Sequence, residues 1–203
     1  QPLGRGIGTS DTALPIDGQE HAGDTIDEVL RSRRRIFDLG GHVGVKYAAY
    51  RRHLSYPTGL RWTVCDVAAV VEEGRRLHSS DAQIGFTTRY EEMDGADVLL
   101  ALGSLQYVET RLALLLAPLP KPPRALILNG LPLHETVDAV TLQSIGVAFC
   151  PYHVFGRTRF VSEMEAAGYR LVDEWGCPGK SCLIPFHPEA SVPEYTGLFF
   201  RRD

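Results

Sequence analysis

The chain has 203 residues, of which 44% are hydrophobic and 23% are charged, and its formal net charge at pH 7 is −4. This length and apolar content are enough for one compact domain with a sizeable core. An acidic balance argues against broad nucleic-acid binding, because neutralising phosphates needs a surplus of Lys and Arg. No apolar run approaches the roughly 18 residues that cross a bilayer, so we expect a soluble protein with no membrane insertion. The four scattered cysteines favour a reducing cytoplasm.

The beginning of the chain differs in composition from the rest. Its first residues are rich in glycine, proline and aspartate, and they lack the apolar stretch of a secretion signal. We expect residues 1–23 to form a flexible arm and residues 24–203 to form a single domain. Asp24 is placed to cap a short helix that runs to about Arg34.

From Ile36 onward, short apolar stretches alternate with helical patterns. Periodicity predicts strands over residues 36–41, 60–67, 83–88, 96–104, 124–130, 169–175 and 196–202. It predicts helices over residues 43–54, 68–77, 105–119 and 158–168. Residues 131–156 are expected to be mainly irregular, and residues 176–195 form a loop with four prolines. Loops of such length in a compact domain are usually functional, so we expect these two segments to act as a lid.

This alternation predicts an α/β fold in three layers. Strand–helix units at short spacing favour a doubly wound, mostly parallel sheet. In such sheets, ligands bind at the carboxyl ends of the strands, where the strand order reverses. The residues that follow the strands are therefore the candidates for a site.

A glycine turn, DLGGHVG, follows the first predicted strand. Its glycines, Gly40, Gly41 and Gly44, let the backbone approach a ligand and adopt positive φ, and the next helix begins there. A dinucleotide fingerprint needs glycine where Leu39 stands, which disfavours NAD. Asp38 suits a ligand that carries a cation, such as the ammonium and sulfonium of S-adenosylmethionine. The same carboxylate could instead organise the loop around it.

A second acid, Asp66, ends the second predicted strand. From this position a carboxylate accepts hydrogen bonds from ribose hydroxyls in nucleotide-binding sheets. Either acid alone would be unremarkable. Their placement on successive strand ends favours a nucleotide-like ligand.

These residues resemble those of the class I S-adenosylmethionine-dependent methyltransferases. DLGGHVG is similar to the family motif D/E-x-G-x-G-x-G, with His42 in place of the middle glycine. With LRWTVCDV, DVLLALGSLQYVE, VTLQ and PYHVF, it resembles a group of bacterial methyltransferases that mostly have no assigned substrate. The resemblance covers roughly Arg33 to Arg202. It implies seven strands, of which the last is antiparallel and pairs with the strand before it at one edge.

The resemblance also implies positions for the cofactor, S-adenosylmethionine. Gly40, Gly41 and Gly44 would face its methionine tail, Asp66 its ribose and residues 86–88 its adenine. The loop after the fourth strand would lie beside the methionine part and the incoming acceptor. This loop contains Ser104, Leu105, Gln106 and Tyr107.

Methyl transfer is an in-line displacement at a sulfonium carbon, so the protein mainly positions the acceptor and excludes water. A hydroxyl acceptor usually also needs a general base. The candidates on the loops after the fourth and fifth strands are His134, Tyr107, His153 and Glu135. His134 is preferred because it follows the fifth strand directly and titrates near neutrality.

Further side chains are predicted on the acceptor side. Two of them, Thr141 and Gln143 in the VTLQ segment, are expected to hydrogen-bond to the acceptor. Two others, Tyr152 and Phe155, are expected to wall the pocket.

The sequence favours catalysis without a metal. The fourth and fifth strands end in LALGS and LILNG, which lack the carboxylates that metal-dependent O-methyltransferases use. Cys177, Cys182 and His187 match no common zinc spacing. The Asp/Asn-Pro-Pro-aromatic signature of amino-group methylation is replaced by SLQY, which disfavours DNA adenine and protein glutamine as acceptors.

The favoured acceptor is therefore the hydroxyl of a small molecule or of a sugar or glycan precursor. Related bacterial methyltransferases are associated with surface-polysaccharide pathways, which favours a sugar. One alternative is an inactive cofactor-binding module of the same fold. A less favoured one is an NAD-linked oxidoreductase, for which the Tyr-x-x-x-Lys pair is missing. The sequence leaves the oligomeric state open.

Overall fold

The structure is a computed structural model that describes residues 34–203. The expected arm over residues 1–23 and the helix capped by Asp24 lie outside the described residues. Within the described part of the chain, no helix is long and apolar enough to cross a membrane.

The described chain contains ten strands and four α-helices. The strands are β1 (Arg35–Leu39), β2 (Arg61–Cys65), β3 (Ile84–Thr87), β4 (Val98–Leu102), β5 (Ala125–Leu131), β6 (Leu133–His134), β7 (Ala139–Ser144), β8 (Phe149–Gly156), β9 (Arg170–Cys177) and β10 (Tyr195–Arg201). The helices are α1 (Val45–Tyr50), α2 (Ala68–Leu77), α3 (Leu112–Leu116) and α4 (Arg157–Ala166). Single 3-10 turns cover Tyr90–Met93, Leu105–Tyr107 and Pro188–Ala190.

Seven strands form the central sheet, in the order β3-β2-β1-β4-β5-β10-β9. β10 runs antiparallel to both of its neighbours, and the other six strands are parallel to one another. The predicted mostly parallel seven-stranded sheet with an antiparallel last strand is therefore confirmed. β1 lies between β2 and β4, so the strand order reverses beside β1, and this places the ligand crevice at its carboxyl end.

Alternating side chains along the strands build one core on each face of the sheet. In β1, Ile36 packs into one cluster with Tyr47 of α1, and Phe37 packs into the other with Phe160 of α4. Both clusters consist of side chains with little or no exposure, as expected when helices cover both faces of a parallel sheet. These two helical layers and the sheet give the predicted three-layer architecture.

The helix predicted over residues 105–119 is interrupted. Residues 105–107 form a 3-10 turn, and α3 begins only at Leu112. Between them Val108 and Arg111 are extended. The Arg111 guanidinium is bound there by Asp138 and Glu163, and this contact between distant segments outweighs local helix propensity.

Residues 131–156 are not irregular, so that prediction was wrong. They form a small sheet in the order β6-β8-β7, and β7 and β8 make a hairpin whose turn contains Gly146 at φ 87°. One face of the hairpin carries Thr141 and Tyr152 and is turned towards the protein. The other face, which includes Leu142, is exposed.

Candidate active site

The glycine turn after β1 has a shape that side chains would disrupt. Gly40 and Gly44 have φ values of 70° and 85°, in the left-handed region. A Cβ on Gly40 would collide with the Ser104 side chain, and one on Gly41 would collide with the Asp38 carboxylate. The turn therefore brings the backbone of β1 directly against the loop that follows β4.

His42, at the position of the middle glycine in the motif, also has positive φ, at 55°. Its backbone N–H donates a hydrogen bond of 2.9 Å to Asp66 Oδ2. Asp66 Oδ1 accepts a second bond, of 2.8 Å, from the N–H of Val67. Asp66 thus ties the turn to the end of β2, and this bond stabilises a backbone conformation that usually requires glycine.

Asp38 lies beneath the glycine turn and is 1% exposed. Its Oδ2 accepts a 3.0 Å hydrogen bond from Trp62 Nε1. Burial raises the pKa of Asp38 to about 7, and the Trp62 hydrogen bond opposes this shift. Of the two roles that the sequence left open for Asp38, this position favours organising the loop.

A cavity of about 500 Å³ opens at the carboxyl ends of β1, β2 and β4. This volume lies within the range of small-molecule sites. The lining residues are Leu39, Gly40, Cys65, Asp66, Val67, Thr88, Tyr90, Gly103, Ser104, Tyr107 and Val108. The structure therefore brings together Gly40, Asp66, Ser104 and Tyr107, which come from three different loops.

Two of the lining residues, Thr88 and Tyr90, follow the end of β3. Thr88 belongs to the segment expected beside the adenine. Tyr90 was missed, although an aromatic residue just beyond a strand that ends at this crevice is a recognisable signal. Gly41 and Gly44 shape the turn without lining the cavity.

The loop after β4 contributes only part of what was expected. Ser104 Oγ donates a short hydrogen bond to the Leu39 carbonyl and lines the cavity. Leu105 and Gln106 are buried instead, so they are not among the lining residues. Gln106 Nε2 donates to the Gly103 carbonyl at 3.0 Å, and its buried Oε1 has no partner among the described residues.

Tyr107 connects the cavity to the hairpin. Its hydroxyl donates a 2.8 Å hydrogen bond to Gln143 Oε1, and its ring contacts Tyr152 edge to face at 5.2 Å. The Tyr152 and Tyr195 hydroxyls are 2.5 Å apart. Burial raises the pKa of Tyr107, so its hydroxyl stays protonated near neutral pH and acts as a donor rather than as a base.

The structure does not bring the two candidate histidines to the cavity. His134 Nδ1 accepts hydrogen bonds from the N–H groups of Thr136 and Val137, at 3.1 and 2.9 Å, so it closes a local turn. His153 is the neighbour of Tyr152 in β8, so it lies on the opposite face of the hairpin, against the Phe155 ring.

The candidate base Glu135 and the expected pocket-wall residue Phe155 also lie away from the cavity. Glu135 is exposed on the loop after β6. Phe155 is 3% exposed and packs in the core against Phe160, so it supports the hairpin rather than walling a pocket. Thr141 lies on the same face of β7 as Gln143, and neither is among the residues that line the cavity.

No arrangement for a metal ion is found in residues 34–203, where no three His, Cys, Asp or Glu side chains are grouped to hold one. Cys177 instead contacts Asn129 Oδ1 at 3.0 Å and is buried. Trp175 Nε1 donates to the same oxygen at 2.9 Å. These contacts make Cys177 part of the packing between β5 and β9.

Comparisons of sequence find no counterpart: no protein-family model matches the chain, and neither does any curated protein. Solved structures do match. An S-adenosylmethionine-dependent methyltransferase from Mesorhizobium loti has a TM-score of 0.61 at 14% identity, over 93% of this chain and 100% of the other.

Two structures of methyltransferases with named substrates are also similar. The mitomycin 7-O-methyltransferase MmcR has a TM-score of 0.58 at 19% identity, over 93% of this chain, which spans 54% of that protein. The Burkholderia thailandensis 1,6-didemethyltoxoflavin-N1-methyltransferase, with its substrate and S-adenosylhomocysteine bound, has a TM-score of 0.56 at 18% identity, over 92% of this chain and 80% of the other.

These likenesses concern the fold. With the strand order and the single antiparallel strand described above, the chain has the fold of the class I S-adenosylmethionine-dependent methyltransferases. This agrees with the resemblance of the DLGGHVG segment.

Proposed function

We propose that the protein transfers a methyl group from S-adenosylmethionine to a small-molecule or sugar hydroxyl, without a metal. The observation that carries this proposal is the cavity at the point where the strand order reverses, in which Gly40, Asp66 and Ser104 meet. It has the size of a small-molecule site, and the residues in it fit the parts of this cofactor.

The glycine turn fits the methionine part, because Gly40 lines the cavity with its backbone and, having no side chain, allows Ser104 to pack against it there. Asp66 fits the ribose. Each of its oxygens accepts one backbone hydrogen bond, which fixes the carboxylate and leaves lone pairs for hydroxyl donors. Thr88 and Tyr90, at the end of β3, lie where the adenine would follow. When bound, this cofactor supplies a methyl group on a sulfonium.

The acceptor side is formed by Tyr107 and the inward face of the hairpin. Tyr107 lines the cavity and is already hydrogen-bonded to Gln143, while Thr141 shares the face of Gln143. Because its one proton is donated to Gln143, the Tyr107 oxygen can accept a hydrogen bond from an acceptor hydroxyl and hold it in line. These side chains position the acceptor and exclude water, which is most of what an in-line displacement requires of the protein.

The named relatives support a small-molecule acceptor and leave its reacting atom open. MmcR is an O-methyltransferase, whereas the toxoflavin enzyme methylates a nitrogen. We favour a hydroxyl because the Tyr107 oxygen can accept its hydrogen bond, and a sugar because the inner face of the hairpin offers the polar groups of Thr141 and Gln143. A cytoplasmic location is consistent with the free cysteines.

The experiment is a transfer assay with methyl-labelled S-adenosylmethionine and panels of sugars, phenols and amines. For an acceptor that turns over, Tyr107→Phe should lower kcat/KM roughly tenfold, the loss of about one hydrogen bond, with unchanged binding of S-adenosylhomocysteine. Tyr56→Phe is the matched control, since the Tyr56 hydroxyl donates to the Tyr47 carbonyl away from the cavity. Equal loss in both variants would contradict the role given to Tyr107.

One observation favours a second candidate, a cofactor-binding module without turnover. The two histidines that the sequence offered as bases lie outside the cavity. Cofactor binding with no methylated product from any acceptor class would favour this module over the enzyme.

A further inference from the structure

A second cavity, of about 310 Å³, lies at the amino ends of β1 and β2. It shares no lining residue with the cavity at the glycine turn, which is at the opposite, carboxyl ends of the same strands. Phe37 and Thr63 line it from the sheet, and Glu92 and Asp94 line it from the segment that follows β3. Its volume is at the lower end of the range for small-molecule sites.

The sheet side of this cavity carries two arginines. Arg35 and Arg61 are the first residues of β1 and β2, and both line the cavity. They are partners in the parallel register, so their Cα atoms are about 4.8 Å apart and their side chains leave the same face of the sheet. Like charges side by side on neighbouring strands repel each other. In the described part of the chain, neither guanidinium forms an ion pair or a hydrogen bond.

A glycine makes room for the Arg35 guanidinium. Its Nη1 is 2.9 Å from where a Cβ on Gly95 would be, so a side chain at Gly95 would displace it. Gly95 has a φ of 70°, in the region that favours glycine. The backbone N–H of Arg35 donates to Asp97 Oδ2 at 3.0 Å, which holds the start of β1 in place. The guanidinium therefore has a defined position in the cavity wall.

The other side of the cavity carries two carboxylates. Glu92 lies in the 3-10 turn after β3, and no residue from 34 to 203 forms a hydrogen bond or an ion pair with its side chain. Asp94 Oδ1 accepts a 2.7 Å hydrogen bond from the N–H of Lys121, and its Oδ2 has no partner among the described residues. Neither acid forms an ion pair with either arginine, although all four side chains line one cavity. The cavity thus separates two cations from two anions.

We propose that this cavity binds a small zwitterion, with a carboxylate or phosphate at Arg35 and Arg61 and an ammonium group at Glu92 and Asp94. A ligand that carries opposite charges a few bonds apart stabilises both pairs, whereas an ion of one sign would face like charges on one side. Arginine suits the acidic end, because its planar fork of donors matches the oxygens of a carboxylate or phosphate. The ligand class is therefore that of small amino acids and aminoalkyl phosphates.

This inference goes beyond the proposed function and does not depend on it, because the cavity shares no residue with the proposed cofactor site. The first arm of the test titrates the unmodified protein with glycine, γ-aminobutyrate and phosphoethanolamine, observed through its amide groups by NMR. Butyrate and butylammonium are the matched probes, since each keeps the chain of γ-aminobutyrate and one of its charges. Inorganic phosphate is the matched probe for phosphoethanolamine.

We expect at least one zwitterion to bind about tenfold more tightly than its single-charge probes, as the loss of a charge-assisted hydrogen bond predicts. The amide shifts should move at the starts of β1 and β2 and at residues 92–96, with and without S-adenosylhomocysteine. Preference for γ-aminobutyrate or for phosphoethanolamine identifies the acidic group. Binding of butyrate as tight as that of every zwitterion, or shifts confined to the glycine turn, would overturn the proposal, as would no binding by any zwitterion.

The second arm removes one charge at a time. Arg35→Gln and Arg61→Gln should each weaken zwitterion binding about tenfold and should not weaken butylammonium binding, and Glu92→Gln should weaken zwitterions without weakening butyrate. Arg170→Gln is the matched control, because Arg170 is also an exposed first residue of a strand but does not line the cavity. Unchanged zwitterion binding in the first three variants would overturn the assignment of these residues.

Thermal unfolding of each variant separates a loss of binding from a loss of folding. If a variant does not fold, the comparison of probes on the unmodified protein decides the proposal by itself. A failure of the proposed methyl transfer would leave that comparison unchanged, because none of the probes requires the cofactor.

Discussion

Asp38 gives the most direct test of how the glycine turn is built. We expect Asp38→Asn to change the pH dependence of stability, because asparagine keeps the size of the side chain and can still accept the Trp62 hydrogen bond. Burial raises the pKa of Asp38 in the folded protein to about 7, from 3.8 for the unperturbed group. The folded state therefore holds the proton more tightly than the unfolded state between these two pH values.

The sign and size of the effect follow from this difference. Because the folded pKa is the higher one, the free energy of unfolding decreases as pH rises from about 4 to 7. Between pH 5 and pH 7, the contribution of this one carboxyl group should fall by about 2 kcal/mol. Asp38→Asn lacks the group and should not show this decrease.

The assay is urea unfolding of the protein and of Asp38→Asn at pH 5, 6 and 7. The difference in the free energy of unfolding between the two should grow in favour of the variant by about 2 kcal/mol from pH 5 to pH 7. Glu109→Gln, at an exposed carboxylate, is the control and should follow the unmodified protein. Parallel pH profiles for the protein and Asp38→Asn would refute the account of a buried, destabilised carboxylate beneath the turn.

Two further substitutions test the local structure around the site. His42→Gly should raise the free energy of unfolding by up to about 1 kcal/mol, because it relieves the positive φ of His42 and keeps the backbone hydrogen bond to Asp66. His42→Ala keeps the backbone strain and is the control. If thermal unfolding showed an equal gain in stability for His42→Ala, this reason would be contradicted. Arg111→Ala should lower the free energy of unfolding by about 2 kcal/mol, because it removes the less exposed of the two arginines that pair with Asp138 and Glu163 and leaves only Arg159. Arg76→Ala, at a fully exposed pair, should leave the urea midpoint unchanged, and an equal effect of the two arginine substitutions would contradict the importance of burial.

The hydrophobic periodicity of single segments predicted the helices and strands that depend on that periodicity alone. The helix over residues 68–77 begins and ends as the periodicity predicted, because its apolar face is regular. The strands of the parallel sheet were found within a few residues, since buried strands are almost continuously apolar. Asp66 lines the cavity, and the strand end that carries it is visible in the sequence.

The hairpin shows a pattern that was present and was missed. Residues 139–144 alternate in burial along their whole length, and Gly146 marks the turn. Had the hairpin been assigned, His153 and Tyr152 would have been recognised as neighbours on opposite faces, and only one of them could point to the site. The position of His153 on the face away from Tyr152 therefore follows from a hairpin that the sequence analysis did not assign.

Other features depend on contacts that no local pattern contains. The break before α3 goes with the binding of Arg111 by Asp138 and Glu163, which are 27 and 52 residues away in the chain. Likewise, the approach of Lys180 to Gly130 depends on how the long loop between β9 and β10 folds back. The sequence identified a candidate site at the strand ends, and tertiary packing decided which side chains line it.

The central claim is that the cavity at the glycine turn binds S-adenosylmethionine. Calorimetric titration with S-adenosylhomocysteine, and separately with NAD, tests this claim on the unmodified chain and on Asp66→Ala. Asp94→Ala, a substitution away from the cavity, is the control. The account predicts that the unmodified chain binds S-adenosylhomocysteine and does not bind NAD. The affinity for S-adenosylhomocysteine should fall at least tenfold in Asp66→Ala and stay unchanged in Asp94→Ala. Binding of NAD alone, or equal binding of S-adenosylhomocysteine by all three proteins, would contradict it.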